Sequence, residues 1–297
     1  MAAARYSSIH IIFNPNSTGD GEAMAKQLKA ELSKSLPDQA IELVPTRFAR
    51  HAEELSYQLA KSNKRPLIVS ASGDGGYNEV VNGIVKANQT GAHGVAGLLP
   101  AGNANDHYHD THRESTYDAI IKGNTQRIDL LKLEATADHK PYTRFAHSYI
   151  GFGLTPAVAK ELNKVHLNWF NELWIVGKSF VGLKPVMVLV DGKRRAYDSL
   201  IFSNVSVMSK VLNLSPKASN SDGLFELAAF KRRHKVMLLL RLLKATTTGL
   251  VEDKKLDSFR FTCLRQTIAQ LDGEVTKIDA KSEVKISIAP KALECVV

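Results

Sequence analysis

The sequence predicts an α/β N-terminal domain with a mostly parallel sheet, followed by a mainly antiparallel β domain. Short apolar runs alternate with helical patterns over the first ~130 residues. Segments rich in Gly, Asn or Asp follow three of those runs, and from about Leu130 onward strand-like runs separated by polar turns dominate. Alternating strands and helices favour a parallel sheet with helices on both faces, whose ligands bind at the carboxyl ends of the strands.

The N-terminal domain is predicted to contain four strands joined by helices. Apolar runs predict the strands, at residues 9–13, 41–46, 66–72 and 95–101. Helical patterns predict helices at 23–36 and 50–62, a third that starts near Tyr77, and a fourth after residue 107. This order of elements places three polar segments, 14–21, 73–76 and 99–107, at one edge of the sheet.

The C-terminal domain is predicted to be β-rich with a few helices. Its strand-like runs lie at residues 186–191, 199–207, 224–230, 257–262, 266–271, 283–288 and 292–297. Asp-Gly pairs, which are typical of hairpin turns, occur at 191–192, 222–223 and 272–273. Helical patterns lie near 155–182 and 232–246. We expect the boundary between Ile128 and Ala146, which gives domains of residues 1–133 and 134–289, with the tail 290–297 as a candidate addition to the first.

Composition favours an intracellular protein with anionic partners. The 297 residues are 44% hydrophobic and carry a formal net charge of +9, a balance suited to nucleotides, nucleic acid or an anionic membrane surface. Two cysteines indicate reduced thiols rather than a disulfide framework or a zinc site. The N-terminus lacks the apolar core of a signal peptide, and no window approaches the ~20 apolar residues that span a bilayer. Nucleic acid is disfavoured, because the basic stretches carry no interleaved aromatics.

The segment SGDGGYNEV, which follows the third strand, has the composition of a phosphate-binding turn. Glycines let backbone N–H groups approach a phosphate, and a following helix adds its N-terminal dipole. The segment is neither a Walker A loop nor GxGxxG, and taken alone it is equally typical of a tight structural turn. Asp74 would repel a polyphosphate unless a divalent cation lay between them. Together with the segments at 14–21 and 99–107, it predicts a nucleotide or phosphate site.

Six segments, taken together, resemble the diacylglycerol kinase catalytic family. SGDGGYNEVVNGI is similar to G-G-D-G-T-x-N-E-V, whose first element NAD kinases share, and NPNSTG is similar to N-P-x-S-G. Thr46 with His51-Ala52 resembles T-x(4)-H-A, and LPAGNANDH resembles P-x-G-T-x-N-D-F. In the second domain, SPKASNSDGLFEL resembles P-x-A-x-x-x-D-G-x-L-x-V, and LDGE resembles the late D-G-E. All six follow the family order from residue 14 to residue 274.

The resemblance implies a two-domain lipid kinase in which the α/β domain binds ATP and the β-rich domain takes the lipid. It implies nucleotide contacts at Asn14, Pro15, Asn16, Ser17, Thr18, Thr46, Ser72, Gly73, Asp74, Gly75, Gly76, Tyr77, Asn78, Glu79 and Asn103. It also implies Glu274 as general base with Asp272 beside it, and Asp74 as the organiser of a catalytic Mg²⁺. A structural Mg²⁺ is implied at Asp222 and the backbone carbonyls of Ser219 and Leu224.

Four departures from the family pattern keep a second interpretation open. Family Gly and Thr become Ser72 and Gly76, and the later Thr and Phe become Asn103 and His107. Two hydroxyls that would reach nucleotide are therefore absent, which leaves a non-catalytic nucleotide- or lipid-binding regulator as the alternative. From the residues alone, LDGE is also typical of a plain hairpin turn. A NAD kinase-like enzyme would explain the G-D-G element but not SPKASNSDGLFEL.

The expected protein is an ATP- and Mg²⁺-dependent kinase of a diacylglycerol-like or sphingoid-like lipid alcohol. We expect it in the cytoplasm, in peripheral contact with an anionic membrane and without a nucleic-acid partner, and a homodimer is among the oligomeric states left open. The basic, leucine-rich stretch 231–244 fits either a packed helix or a membrane-surface helix, which the cations at 193–195 would extend.

Overall fold

The chain forms two compact units, which are described here one at a time. The computed structural model describes residues 6–17, 19–153, 185–208, 212–213, 218–232 and 254–297. The first unit comprises Met1–Asp129 with Pro290–Val297, and the second comprises Leu130–Ala289. The helix predicted near 155–182 and the predicted nucleotide contact Thr18 lie outside the described residues, and so does the helix predicted near 232–246 apart from Arg232.

The first unit is built on a parallel sheet. Its strands are β1 (Ile9–Phe13), β2 (Ile41–Pro45), β3 (Leu67–Ser72) and β4 (Val95–Pro100), in the spatial order β2-β1-β3-β4. Its helices are α1 (Gly21–Ser35), α2 (His51–Ser62), α3 (Asp74–Asn88), α4 (Asp106–Thr111) and α5 (Thr116–Lys122). All three strand pairs run parallel, as the alternation of strand and helix predicts.

Helices cover both faces of this sheet. Ala25, Leu28 and Leu32 of α1 pack with Ala119 and Ile120 of α5 in one core cluster with alternate residues of β1 and β3. The intervening residues of the strands, such as Ile68 of β3, are also fully buried. Since successive side chains of a strand point to opposite faces, those residues face the other layer, where α3 contacts β3 and β4.

Gly83 lets α2 and α3 pack closely on each other. A Cβ atom at Gly83 would lie 2.0 Å from Ser56 Oγ and 2.3 Å from the Glu53 carbonyl oxygen. Any side chain at this position would therefore push the two helices apart. The close approach joins α3, whose first turn contains Gly75 and Gly76, to α2, which follows β2.

The C-terminal residues supply a fifth strand to the first unit. The strand Glu283–Val296 ends beside β4, with Cys295 opposite Ala96 in parallel register. Leu293, Cys295 and Val296 are buried. Burial raises the pKa of the Cys295 thiol to about 12, so the thiol stays protonated at neutral pH.

Polar contacts also hold this tail in place. The Glu294 carboxylate accepts hydrogen bonds from Arg65 (2.6 Å) and Thr125 (3.0 Å). The backbone N–H of Lys291 donates to Asp129 at 2.7 Å. The tail is therefore fixed along its length by burial of apolar side chains and by charge-assisted hydrogen bonds.

The second unit is built from antiparallel strand pairs. In chain order the strands are β5 (Thr125–Ala137), β6 (Lys140–Ala146), β7 (Tyr149–Gly153), β8 (Val186–Val190), β9 (Lys193–Ser203), β10 (Val207–Met208), β11 (Leu212–Asn213), β12 (Phe225–Lys231), β13 (Lys254–Leu256), β14 (Ser258–Cys263), β15 (Thr267–Leu271), β16 (Glu274–Ile278) and β17 (Glu283–Val296). Antiparallel pairs join β16 to β15, β15 to β7, β7 to β9, β9 to β8, β8 to β14 and β14 to β17. The prediction of a mainly antiparallel β region is confirmed.

Aromatic side chains fill the core of the second unit. Phe152, Phe202 and Phe261 are buried, and the rings of Phe152 and Phe261 meet edge to face with centroids 5.3 Å apart. Phe225 packs against Phe202 with a centroid distance of 5.8 Å. Such pairs bury large apolar areas in preferred ring geometries, and they belong to one core cluster to which most strands of this unit contribute.

Two of the three predicted Asp-Gly hairpins are present. Asp191-Gly192 joins β8 to β9 and Asp272-Gly273 joins β15 to β16, each with positive φ at both residues. The pair at 222–223 is not a hairpin, because the strand that follows it pairs with β9 and β13. A further two-residue turn, Asp138-His139 with φ of 49° and 60°, joins β5 to β6 without a glycine.

Among the described residues, no helix combines the length and apolarity that crossing a bilayer requires.

Candidate active site

Three loops meet at the carboxyl edge of the parallel sheet. A Cβ atom at Gly19, in the loop after β1, would lie 2.6 Å from the carbonyl oxygen of Ala101, which follows β4. A Cβ atom at Gly102 would lie 2.4 Å from the Cα atom of Gly73, which follows β3. The glycines therefore allow backbone-to-backbone contact between loops, and the three polar segments predicted to share an edge do lie together.

The glycine-rich segment forms the first turn of α3 rather than a loop before it. The helix begins at Asp74, three residues earlier than the sequence predicts, and Tyr77 N donates to the Gly73 carbonyl oxygen at 3.1 Å. Two glycines disfavour helix, but the buried face of α3, which includes Tyr77, Val80 and Ile84, outweighs that cost. The backbone N–H groups at the start of this helix have no acceptor within the helix and are suited to bind an anion.

A side chain at position 76 would occupy the space that the Ser72 side chain fills. A Cβ atom at Gly76 would lie 2.6 Å from Ser72 Oγ and 2.7 Å from Ser72 Cβ. The Ser72 hydroxyl also lies 2.7 Å from the Ser70 hydroxyl and donates to the Gly73 carbonyl oxygen at 3.0 Å. The two departures from the family signature at these positions are therefore sterically linked, since a serine at 72 requires a glycine at 76.

The loop after β1 is exposed and folded by its own hydrogen bonds. Asn14 Oδ1 accepts from Asn16 N at 2.9 Å, and the Asn14 carbonyl oxygen accepts from Ser17 N at 3.1 Å. Asn14, Pro15, Asn16 and Ser17 are all exposed. Thr46 lies beside this loop, because its N–H donates to the carbonyl oxygen of Phe13 at 2.8 Å.

The Glu79 carboxylate holds the N-terminus of α2. Its two oxygens accept hydrogen bonds from Arg50 N at 3.1 Å and from Ala52 N at 3.2 Å. A carboxylate at a helix N-terminus satisfies free N–H groups and favours the helix dipole. These contacts fix the segment after Thr46 to α3, a positioning role that the resemblance did not indicate for Glu79.

Two predicted nucleotide contacts have buried side chains. Tyr77 and Asn78 are 0% exposed. The Tyr77 ring stacks on His107 with centroids 5.3 Å apart, and Asn78 Oδ1 accepts from Asn82 at 3.1 Å. Both side chains therefore pack beneath the turn that α3 begins with, and His107 fills the position of the family phenylalanine.

The loop after β4 is shaped by Asn105 and exposes Asn103. Asn105 has φ of 51°, its Oδ1 accepts from Gly102 N at 3.3 Å, and its Nδ2 donates to the Gly102 carbonyl oxygen at 2.7 Å. Asn103, the residue that the family resemblance implies as a nucleotide contact, is exposed, whereas Asn105 was not among the predicted contacts. Asn105 lies directly before a helix, and asparagine tolerates positive φ better than most residue types. These two features would have identified Asn105 from the sequence.

In the second unit, Asp272 is completely buried and fully engaged. Its Oδ1 accepts from Ser148 N at 3.0 Å and Tyr149 N at 2.9 Å, and its Oδ2 accepts from His147 N at 2.7 Å. The ring Nε2 of His147 lies 3.3 Å from the same Oδ2, and both side chains are 0% exposed. This geometry fixes the β15–β16 turn to the start of β7. His147 matches no motif, so it could not be identified from the sequence.

Glu274 is the first residue of β16 and directly follows that turn. It pairs with Leu271 across the hairpin and is half-buried, so its carboxylate remains open to solvent and ligands. Because the turn is held by the buried Asp272, the position of Glu274 is fixed by an element of the core. The two carboxylates of LDGE therefore lie in different environments, one enclosed and one accessible.

The Asp222 turn does not fit the implied structural Mg²⁺ site. Asp222 Oδ1 accepts from Leu224 N at 3.1 Å, and Oδ2 accepts from the Lys255 ammonium at 2.8 Å. Lys255 also lies 3.5 Å from the Glu226 carboxylate, and its hydrogen bond to Asp222 raises the pKa of Lys255. A divalent cation at Asp222 would need carboxylate oxygens that these donors already engage, whereas the backbone carbonyls of Ser219 and Leu224 stay a prediction.

Across the described part of the chain, no cluster of three or more His, Cys, Asp or Glu side chains is placed to hold a metal ion. Asp74 alone, in the first turn of α3 and partly buried, still suits Mg²⁺ that arrives with a nucleotide, because Mg²⁺ is commonly bound by one or two carboxylates plus substrate phosphates.

Comparisons with known proteins agree on one family. Residues 8–133 match the diacylglycerol kinase catalytic domain. A diacylglycerol kinase of Staphylococcus saprophyticus is 25% identical over 301 residues, which cover 89% of this chain and 88% of that protein. The resemblance stated from the sequence is thus confirmed.

Solved structures of similar fold come from Bacillus anthracis. One is described as a diacylglycerol kinase, with a TM-score of 0.71 at 14% identity, and another as a putative diacylglycerol kinase, with a TM-score of 0.73 at 16% identity. Each match covers 98% of this chain and 97% of that one. The likeness confirms the predicted fold class over the full length.

Proposed function

We propose that this protein is a lipid kinase that transfers the γ-phosphate of ATP to the hydroxyl of a lipid alcohol, because residues 8–133 match the diacylglycerol kinase catalytic domain. The observation that carries the proposal is the glycine-rich first turn of α3 at the meeting point of three loops. Its N–H groups would bind phosphate oxygens, and the exposed loop at Asn14–Ser17, Ser72 and Asn103 would complete the nucleotide contacts.

Asp74 is proposed to hold a catalytic Mg²⁺ on the ATP phosphates. When bound, this ion would neutralise phosphate charge during transfer. Asp74 precedes Gly75 and Gly76, so its carboxylate would lie beside the phosphate oxygens that those backbone N–H groups bind. No role is assigned to a metal at Asp222, where Lys255 supplies the positive charge.

Glu274 is proposed as the general base, and Asp272 as its positioning residue. A lipid hydroxyl is a poor nucleophile at neutral pH, so a carboxylate that removes its proton assists attack on the γ-phosphate. Glu274 is accessible, whereas Asp272 is enclosed and engaged by three backbone N–H groups. The resemblance implied a catalytic role for both, and burial supports dividing them between base and support.

The acceptor is proposed to be a diacylglycerol-like lipid in an anionic membrane at its cytoplasmic face. The name of the staphylococcal relative favours diacylglycerol over a sphingoid base. Lys193, Arg194 and Arg195 are exposed at the β8–β9 turn, and Arg232 N donates to the Ala196 carbonyl oxygen at 3.1 Å. Cations of β9 and of the end of β12 therefore adjoin, and such a patch would attract anionic lipid.

The test is transfer of labelled γ-phosphate from ATP to a panel of lipid alcohols in mixed micelles. We expect Glu274→Gln to lower the rate about a hundredfold or more, because general base catalysis contributes that much. Asp74→Asn should also abolish most of the transfer and reduce its dependence on Mg²⁺. Asp191→Asn is the matched control, because Asp191 occupies the same kind of two-residue turn in the β8–β9 hairpin without a neighbouring carboxylate.

Transfer that survives both Glu274→Gln and Asp74→Asn would refute these residue roles. ATP binding by the wild-type protein without transfer to any lipid would instead favour the non-catalytic regulator. Thermal stabilisation by ATP with Mg²⁺ separates that case from loss of the nucleotide site itself.

A further inference from the structure

We propose that Phe48, stacked on His51, is a platform on which the base of the bound nucleotide stacks. The inference rests on the proposed function, and it adds a base-binding position to the phosphate-binding turn. Phe48 lies between Thr46 and α2, at one of the four positions that the T-x(4)-H-A motif leaves unspecified.

Phe48 is the exception among the phenylalanines that the structure describes. Its side chain is 56% exposed, whereas every other described phenylalanine is buried or partly buried. A large apolar ring in water is unfavourable unless a partner covers it, because apolar surface contributes about 25 cal/mol per Å² when it is buried.

The ring is also held in place. Its centroid lies 4.4 Å from that of His51, with 28° between the ring planes, and His51 Nδ1 accepts from Arg47 N at 3.1 Å. A ring supported in this way loses little conformational freedom when a planar ligand stacks on it. Exposed Arg47 and Arg50 flank the pair and give it a positive surround suited to a nucleotide.

The platform lies at the same edge as the phosphate-binding turn. Thr46 N donates to the Phe13 carbonyl oxygen, which places the segment beside the Asn14–Ser17 loop. Glu79 anchors Arg50 and Ala52 to α3. Glu79 lies five residues after Asp74, about 7.5 Å along the helix axis at the usual rise. A nucleotide with its phosphates at the first turn of α3 can therefore direct its base towards Phe48.

Two other exposed apolar residues provide a comparison. Ile268 and Val275 are 45% and 52% exposed, and isolated exposures of this kind are common in proteins. Neither is aromatic, so neither offers a face on which a base could stack. Val275→Ala is accordingly the matched control for removing an exposed apolar side chain.

The experiment compares ATP with inorganic tripolyphosphate as ligands of the wild-type, Phe48→Ala and Phe48→Trp proteins by calorimetric titration with Mg²⁺. Stacking of a base on an aromatic ring is worth about 1–3 kcal/mol, so Phe48→Ala should weaken ATP binding roughly 5- to 150-fold. Tripolyphosphate binding should not change, because it has no base. Phe48→Trp should bind ATP at least as tightly as the wild type, and Val275→Ala should change neither affinity.

Three results would refute the proposal that the nucleotide base stacks on Phe48, and each of them differs from the result that would refute the proposed function. If the Phe48→Ala protein binds ATP as tightly as the wild type, Phe48 has no stacking role, although the nucleotide site itself is confirmed. Equal weakening of ATP and tripolyphosphate would assign Phe48 a structural role in the loop. Loss of binding to anionic vesicles at unchanged ATP affinity would assign it to the membrane. A wild-type protein that binds neither ligand would refute the nucleotide site itself.

Discussion

At the scale of single residues, the loss of a threonine at position 76 has a steric explanation. The Cβ atom that threonine would bring lies 2.7 Å from Ser72 Cβ, an atom whose position the backbone fixes. A rotation of the Ser72 side chain cannot relieve that contact. The chain therefore keeps a hydroxyl group near this turn. Residue 72 at the end of β3 supplies it, instead of a residue of α3.

We expect the protein to tolerate a threonine at position 76 only when residue 72 is changed to glycine as well. Gly76→Thr should destabilise the protein by about 1–3 kcal/mol, as overpacking of a filled site does, and should weaken ATP binding. Ser72→Gly combined with Gly76→Thr should restore both, with a coupling free energy of about 0.5–3 kcal/mol in a double-mutant cycle. Urea unfolding and ATP titration of the four proteins provide the measurements.

Ser72→Ala distinguishes steric linkage from hydrogen bonding. Alanine keeps the Cβ atom, so Ser72→Ala should fail to rescue Gly76→Thr, while Ser72→Gly succeeds. Rescue by alanine would show that the hydroxyl group, rather than the Cβ contact, is what opposes a side chain at position 76.

Residue roles were the least predictable part of the site from sequence. Motif resemblance selected Glu79 and Asp272, but only the folded chain shows that their carboxylates bind backbone N–H groups of α2 and of residues 147–149. His147 and Lys255 belong to no motif, because their partners lie far away in sequence. Contacts that form across long separations leave no local pattern to recognise.

At the scale of elements, the β15–β16 hairpin connects the core of the second unit to Glu274. The hairpin turn has positive φ at Asp272 and Gly273, and the Asp272 carboxylate binds it to the start of β7. Among the strands that the structure describes, β16 ends the pairing order of the unit and has β15 as its one neighbour. The buried Asp272 carboxylate therefore holds the hairpin in place, as a second neighbouring strand would do.

Asp272→Asn should therefore destabilise the protein, whereas Glu274→Gln should not. An asparagine amide nitrogen would face the His147 N–H that now donates to Oδ2, leaving two donors opposed in a site without water access. Hydrogen bonds to buried charged groups contribute about 1.5–3 kcal/mol, so we expect a loss of at least that size in urea unfolding.

The two variants are also separable by activity. The Glu274→Gln protein should lose phosphate transfer while its free energy of unfolding stays at the wild-type value. The Asp272→Asn protein should show a lower free energy of unfolding as its main effect. Equal stability of Asp272→Asn and the wild type, together with complete loss of transfer, would assign Asp272 directly to the chemistry.

Regular elements with strong patterns were predictable, and irregular ones were not. The four parallel strands follow from buried apolar runs, such as β3, in which five of six residues are buried. No predicted run covers β5, β6, β7, β11, β13 or β16. In β16 the pattern of exposure alternates and the polar residues Glu274, Thr276 and Lys277 predominate, so the strand lacks an apolar run. The start of α3 was placed too late because glycine is a poor helix former, while the tertiary burial that overrides it is invisible locally.

At the scale of the whole molecule, the first unit is completed by the last residues of the chain. Residues 290–297 contribute the strand beside β4, and Glu294 binds Arg65 and Thr125. The chain thus enters the second unit once and returns once, so the first unit is discontinuous in sequence. We therefore expect its stability to depend on residues 290–297, which lie far in sequence from the nucleotide-binding motifs and which the sequence indicated as a candidate addition to this unit.

Deletion of residues 290–297 should destabilise the first unit. It removes the buried side chains of Leu293 and Val296, each worth about 1.5–3 kcal/mol, so we expect the free energy of unfolding to fall by roughly 3–6 kcal/mol. Urea unfolding followed by circular dichroism measures this loss, and ATP-induced stabilisation reports whether the nucleotide site survives.

Leu293→Ala in the full chain gives a graded version of the same test, and deletion of Val297 alone is the control for a shortened C-terminus. A protein lacking residues 290–297 that unfolds at the same urea concentration as the wild type would show that the tail is dispensable.

The return of the tail also sets the order in which the ribosome can complete the two units. Residues 130–289 emerge as one uninterrupted segment, whereas the sheet that begins with β1 lacks its last strand until residues 290–297 have been synthesised. Domains generally fold from the N-terminus during translation. In this chain the second unit can therefore be completed before the first, and the edge of β4 has no neighbour at Ala96 until the tail with Cys295 has been synthesised.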